Sequence, residues 1–181
     1  MNSGLFALKM MSYICTLPVL KMVYYAHIHS HLSYGICVYG GSTHRNLERI
    51  LLLQKRAIRI MLNLKYDDHV KEYFTSLGIL TVFDQYILDC ILYVTTNENK
   101  ITFRKDIHNY NTRGKNDLHI PQHKLTFYNK KTSYIGTKFK NYLPNELKYE
   151  QNLNKFKAKL KSFLLLKPSY SMDDFFKKLE T

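Results

Sequence analysis

The sequence predicts a mainly α-helical protein: a helical bundle followed by a basic, partly irregular tail with short extended segments and terminal helices. Three observations carry that expectation. Apolar residues recur with the i, i+3, i+4, i+7 spacing of a helix face in the segments 43–64, 79–95 and 153–166. Pro18, Pro144 and Pro168 fall at the ends of helical stretches, where a missing amide hydrogen costs nothing. The formal net charge of +13 is uneven: residues 1–100 hold ten Lys/Arg against seven Asp/Glu, whereas residues 101–181 hold seventeen against seven.

Taken in order, residues 5–15 and 18 to about 33 are apolar on most sides and predict two helices, the second beginning at Pro18. The apolar stretch from Leu5 to Leu20 is interrupted by Lys9 and falls short of the roughly 20 residues that span a bilayer. No Lys or Arg precedes Leu5, so a core helix is expected rather than a membrane span or a signal. Tyr34-Gly35 and Gly40-Gly41-Ser42 predict turns. Thr43 is the expected N-cap of a long helix reaching about Leu64.

That helix has two distinct sides. Leu47, Ile50, Leu51, Ala57, Ile58, Met61 and Leu62 share one face, and Arg45, Arg49, Arg56 and Arg59 share the opposite one. Residues 65–78 read as a loop, a short helix and a turn. The stretch 79–95 is a further helix with Val82, Phe83, Tyr86, Ile87, Cys90, Ile91 and Val94 at helical spacing. The polar run Asn97-Glu98-Asn99-Lys100 marks a boundary between 1–96 and 97–181.

Beyond it the pattern weakens. Leu118-His119-Ile120 and Leu125-Thr126-Phe127-Tyr128 alternate briefly, as extended segments do. Thr132 or Ser133 is placed to cap a helix running through Phe139 and ending before Pro144. Leu153, Phe156, Leu160, Phe163 and Leu164 define the face of a helix over 153–166, flanked by Lys155, Lys157, Lys159 and Lys161. Ser171 and Asp174 resemble a capping box at the start of a last turn.

The composition, 45% hydrophobic and 23% charged, is that of a globular chain. Its positive field favours a polyanionic partner, RNA or DNA. Arg45, Arg49, Lys55, Arg56 and Arg59 are the candidate phosphate contacts in the first half. In the second half cations alternate with aromatic rings, as in Phe127-Tyr128-Asn129-Lys130-Lys131 and from Tyr134 to Lys138, and that mixture suits single strands. Lys130, Lys131 and Lys138 join the candidates there.

Catalytic constellations are weak. Phosphoryl transfer by two metals needs converging carboxylates. The pairs Asp67-Asp68 and Asp173-Asp174 are read more simply as a polar loop and a helix N-terminus, where carboxylates favour the dipole. His27 and His31 would share a helix face, but no acidic residue follows His27, so neither a metal nor a cofactor is expected. There is no Gly-x-Ser-x-Gly elbow and no glycine-rich phosphate loop. Cys15, Cys37 and Cys90 form no Cys-x-x-Cys pair and are expected as buried reduced thiols in an intracellular protein, nuclear or cytoplasmic.

Several runs are similar to a known family. Ser33-Tyr34-Gly35, Gln54-Lys55-Arg56-Ala57-Ile58-Arg59, Leu77-Gly78-Ile79-Leu80-Thr81-Val82, Tyr110-Asn111-Thr112-Arg113, Asn141-Tyr142-Leu143-Pro144 and Phe156-Lys157 occur in this order. They resemble the thumb and post-thumb tail of reverse transcriptases from non-LTR, jockey-like retrotransposons. The chain departs from that family in carrying Tyr39 and Lys140 where Trp is usual, and it has no Trp.

The resemblance implies a thumb-like bundle over 1–96, with residues 20–62 holding a template–primer duplex. It implies a tail over 97–181 that binds element RNA through 104–161, and it adds Arg113 to the candidate contacts. It further implies that the carboxylates of an RNA-directed DNA polymerase lie in a palm not found among these residues. The chain is therefore expected to bind nucleic acid without catalysis, with the parent palm as a further partner and no membrane. Two other classes stay open: a basic membrane-surface or scaffold protein, and a histidine-based metal hydrolase.

Overall fold

In a computed structural model, residues 1–98, 101–107, 114–148, 150 and 152–179 are described. They are mainly α-helical, with one isolated antiparallel bridge between Phe103 and Leu118. The first helix, α1 (Asn2–Ser12), is followed by α2 (Leu17–Tyr24), whose second residue is Pro18. A π turn (Tyr25–His29) joins α2 to α3 (Ser30–Ser33), so the expected second helix is continuous but locally widened. The short α4 (Ile36–Tyr39) lies between the two expected turns.

Next comes α5 (His44–Met61), which begins after Thr43 as expected, although the Thr43 hydroxyl makes no capping bond. The helix stops three residues before Leu64. Asn63 takes a left-handed φ of 53°, and the chain turns there. The next helix, α6 (Lys71–Leu77), ends at Gly78, whose φ of 65° is open to glycine without strain.

The centre of the fold is α7 (Val82–Thr96). Its N-cap Thr81 accepts the Asp84 amide at 3.1 Å through its hydroxyl. Val82, Phe83, Ile87, Cys90, Ile91 and Val94 are all fully covered. After the short α8 (Arg104–Ile107), a 3-10 turn (Thr126–Lys130) occupies the place where Leu125–Tyr128 was expected to be extended. Among the described residues that segment has no partner strand, and the backbone closes local bonds instead. Leu118 does pair, at the single bridge with Phe103.

The helix α9 (Thr132–Tyr142) lies along α7. Its N-cap is Lys131 rather than Thr132 or Ser133; the Thr132 hydroxyl instead donates to the Cys37 carbonyl at 2.7 Å. The two helices approach closely at Gly136, where a β-carbon would stand 2.5 Å from the Cys90 carbonyl oxygen. A short α10 (Asn145–Lys148) leads to α11 (Leu153–Leu166). Asn152 caps α11 by accepting the amides of Asn154 and Lys155 at 3.0 and 3.1 Å. Phe156, Leu160 and Leu164 are buried as the spacing predicted, whereas Leu153 is largely exposed.

The last helix, α12 (Met172–Leu179), starts with the Ser171 hydroxyl accepting the Asp174 amide at 3.1 Å. The Asp174 carboxylate reaches back to the Tyr170 amide at 2.9 Å, one residue before the capping-box position.

Residues from both sides of position 97 meet in one hydrophobic core. Phe139 packs edge-on to Tyr86 and Phe175, and Phe156, Leu160 and Leu164 join the same cluster. A polar clasp reinforces it. Asp84 accepts from the Ser169 amide at 2.9 Å and pairs with Lys178 at 3.3 Å, with both side chains almost fully covered. Burial pushes the Asp84 carboxyl up and the Lys178 ammonium down, so desolvation outweighs the mutual attraction of the pair. Cys90 is buried, but Cys15 and Cys37 are only half-buried, a partial correction to the expectation of three buried thiols.

Candidate nucleic-acid interface

The amphipathic spacing of α5 fixes which residues it offers to solvent. Leu47, Leu51, Ala57, Ile58 and Met61 are buried against α1, α2 and α7. Arg45, Arg49 and Arg56 stand exposed on the far side, with the exposed Leu52 between them.

The helix is also held by a residue that periodicity alone does not single out. Gln54 is completely buried. Its Nε2 donates to the Tyr24 hydroxyl and the Leu80 carbonyl, each at 3.0 Å, and its Oε1 accepts the Val82 amide at 2.7 Å. One side chain thus ties α2, α5 and the head of α7 together, and burial pushes the Tyr24 phenol well up. A glutamine one turn from hydrophobic positions was the only hint in the sequence.

The remaining predicted contacts divide. Arg59 is half-buried, and its Nε and Nη2 both donate to the Asp68 carbonyl, at 3.2 and 2.9 Å, so it fastens the loop after α5. Lys55 turns toward the C-terminal segment, with Nζ 3.9 Å from the centre of the Tyr170 ring. Lys130 and Lys131 come to α4 and the turn that follows it, since the Lys130 carbonyl packs on Gly41 and Thr132 bonds to Cys37. Lys131 also stands 5.4 Å from the Tyr128 ring, which stacks on His123. Lys138 lies 5.2 Å from the Phe176 ring and lines a separate cleft with Arg104, Asp117 and Tyr142. Arg113, like the rest of the Tyr110-Asn111-Thr112-Arg113 run, lies outside the described residues. Arg45, Arg49 and Arg56 therefore form one ridge, Lys130 and Lys131 line a different cleft with Val38, Gly41 and Tyr128, and Lys55 and Lys138 do not belong to the ridge.

A groove beside the ridge was not foreseen. It has a volume of about 690 Å³ and runs between α1 and the C-terminal end of α5. Phe6, Tyr13 and Tyr66 line it together with Lys9, Arg56 and Arg59. Phe6, Met10 and Tyr13 are 69%, 54% and 71% exposed, so α1 joins the core along one side only rather than on most sides as its apolar composition predicted. It buries Gly4 and Leu8 and leaves the opposite stripe open. The i, i+4, i+7 spacing of Phe6, Met10 and Tyr13 is the signal that would have found this stripe.

The histidine and carboxylate motifs gather nothing. His27 and His31 are exposed, while His29 packs edge-on to Tyr25 at 5.1 Å, where burial holds its imidazole below the usual range. The π turn breaks the helical register on which the pairing of His27 with His31 rested. Among the described residues no three His, Cys, Asp or Glu side chains are grouped to hold a metal. No single described helix is long and apolar enough to cross a membrane. Neither the known protein families nor the curated proteins nor the solved structures contain a match to this chain.

Proposed function

We propose that the chain binds nucleic acid through the Arg45–Arg49–Arg56 ridge of α5, playing the part that the thumb and tail play in a non-LTR retrotransposon reverse transcriptase. Catalysis in that scheme belongs to a palm, with which this chain would act, and not to the residues described above.

One observation carries the reading. Three exposed arginines share one line of a helix whose other side is locked into the core, next to a groove edged by exposed aromatic rings and further cations. Charges mounted on a rigid helix meet phosphates without an ordering cost at binding, and rings beside them offer stacking faces to unpaired bases. The order of sequence motifs supports the polymerase context, and the concentration of positive charge supports the polyanion.

Fluorescence anisotropy with short RNA and DNA at several salt concentrations tests the proposal. Arg45→Gln, Arg49→Gln and Arg56→Gln together are expected to flatten the dependence of log affinity on log salt by about 2 for a single strand. Arg59 is left intact because it holds the Asp68 loop. An unchanged slope in the triple variant would overturn the ridge as the interface.

A second reading has its own support. Phe6 and Met10 on α1 are exposed together with Lys9, and so are Tyr13 and Ile14 just beyond its end, as in a helix that lies on an anionic membrane surface. Flotation with anionic vesicles and no response to RNA would favour it.

A further inference from the structure

Lys55 of α5 and Lys71 of α6 converge on the ring of Tyr170, in the segment between α11 and α12, and Arg59 follows Lys55 by one turn of α5. The Lys55 Nζ lies 3.9 Å from the ring centre and the Lys71 Nζ 5.2 Å. The Arg59 charge acts on the same phenol. Among the described residues none of the three cations has a carboxylate within salt-bridge distance. The carboxylate acting on this group is Asp174, whose Oδ2 is already engaged by the Tyr170 amide at 2.9 Å.

Two features of this cluster are costly without a ligand. The cations repel one another: burial first, then the charges of Arg59 and Lys71, hold the Lys55 ammonium below its usual range. The Tyr170 hydroxyl is covered and has no hydrogen-bond partner among the described residues, and a buried unsatisfied donor is destabilising. A tetrahedral oxyanion answers both at once, because it neutralises the cations and accepts the phenol's proton. The charge count selects its class. A backbone diester brings a single negative charge, whereas a phosphate monoester brings about −1.5 to −2 and three acceptor oxygens.

We propose that Lys55, Arg59, Lys71 and the Tyr170 hydroxyl form a binding site for a phosphate monoester dianion. If the nucleic-acid reading holds, the group that fits is the terminal phosphate of a strand, for Arg59 borders both this site and the groove beside the ridge. The alternative source of the same chemistry is free phosphate.

The test uses the full chain and one oligonucleotide sequence with either a 5′-phosphate or a 5′-hydroxyl end, read by anisotropy. Inorganic phosphate is titrated separately and followed by ³¹P NMR. Lys71→Gln removes an exposed cation, and Tyr170→Phe removes only the donor; circular dichroism confirms that both variants are folded. The phosphorylated strand is expected to bind roughly tenfold more tightly than the hydroxyl one. Lys71→Gln should abolish that advantage and Tyr170→Phe should reduce it, leaving the hydroxyl-ended strand unaffected. Equal binding of the two strands, together with a saturable ³¹P response lost in Lys71→Gln, supports the site with free phosphate as its ligand. Equal binding and no ³¹P response overturns the site while leaving the nucleic-acid reading intact. Absence of any strand binding overturns that reading, and the ³¹P arm still decides the site.

Discussion

The neighbouring helices α5 and α7 distribute burial in opposite ways. Over its 15 residues α7 is covered on nearly every side, packing on α4, α5, α9 and α11, and even Asp84, one of its two acidic residues, is enclosed. Over its 18 residues α5 buries one face and presents arginines on the other. The difference separates two tasks. A helix enclosed by its neighbours carries the fold, and any change to it is felt by several partners at once. A helix anchored along one face leaves the other free to carry charge, so its surface chemistry is separable from its stability.

That separation is open to test. The largest effect is expected at the α7–α9 contact. Phe139→Ala empties a fully covered position bounded by Tyr86, Phe175 and Phe176, and should cost about 3–5 kcal/mol in urea unfolding.

Next comes the buried anchor of α5. Gln54→Leu keeps the approximate volume but leaves the Val82 amide, the Leu80 carbonyl and the Tyr24 hydroxyl without their partner, and should cost about 2–3 kcal/mol. A loss below a few tenths would mean that α5 does not depend on this tie.

The smallest effect on stability is expected from the ridge. Arg45→Gln, Arg49→Gln and Arg56→Gln together should shift the unfolding free energy by no more than about 0.5 kcal/mol, because all three side chains are exposed. A large destabilisation there would collapse the contrast between the two helices and show the arginines to be structural.

Much of the helical layout was legible in the sequence because it follows from local rules. A period of 3.6 placed α5, α7 and α11, Pro18 marked the start of α2, Pro168 the end of α11, and the Ser171–Asp174 spacing the start of α12. The arginine ridge was legible for the same reason, since residues 45, 49 and 56 share a face in any α-helix.

What the sequence left open was the partner of each polar group. Arg59 looks like a fourth member of the ridge until the Asp68 carbonyl meets it. Lys55 looks like a phosphate contact of the same helix until Tyr170, far along the chain, is brought beneath it. Gln54, Asp84 and Lys178 gave almost no signal, yet they join segments 26 to 94 residues apart. Helix formation depends on neighbours a turn away, so composition and spacing determine it. The pairing of buried polar groups depends on which distant segments share a core, and the packing of α7 against α9, α11 and α5 decided that.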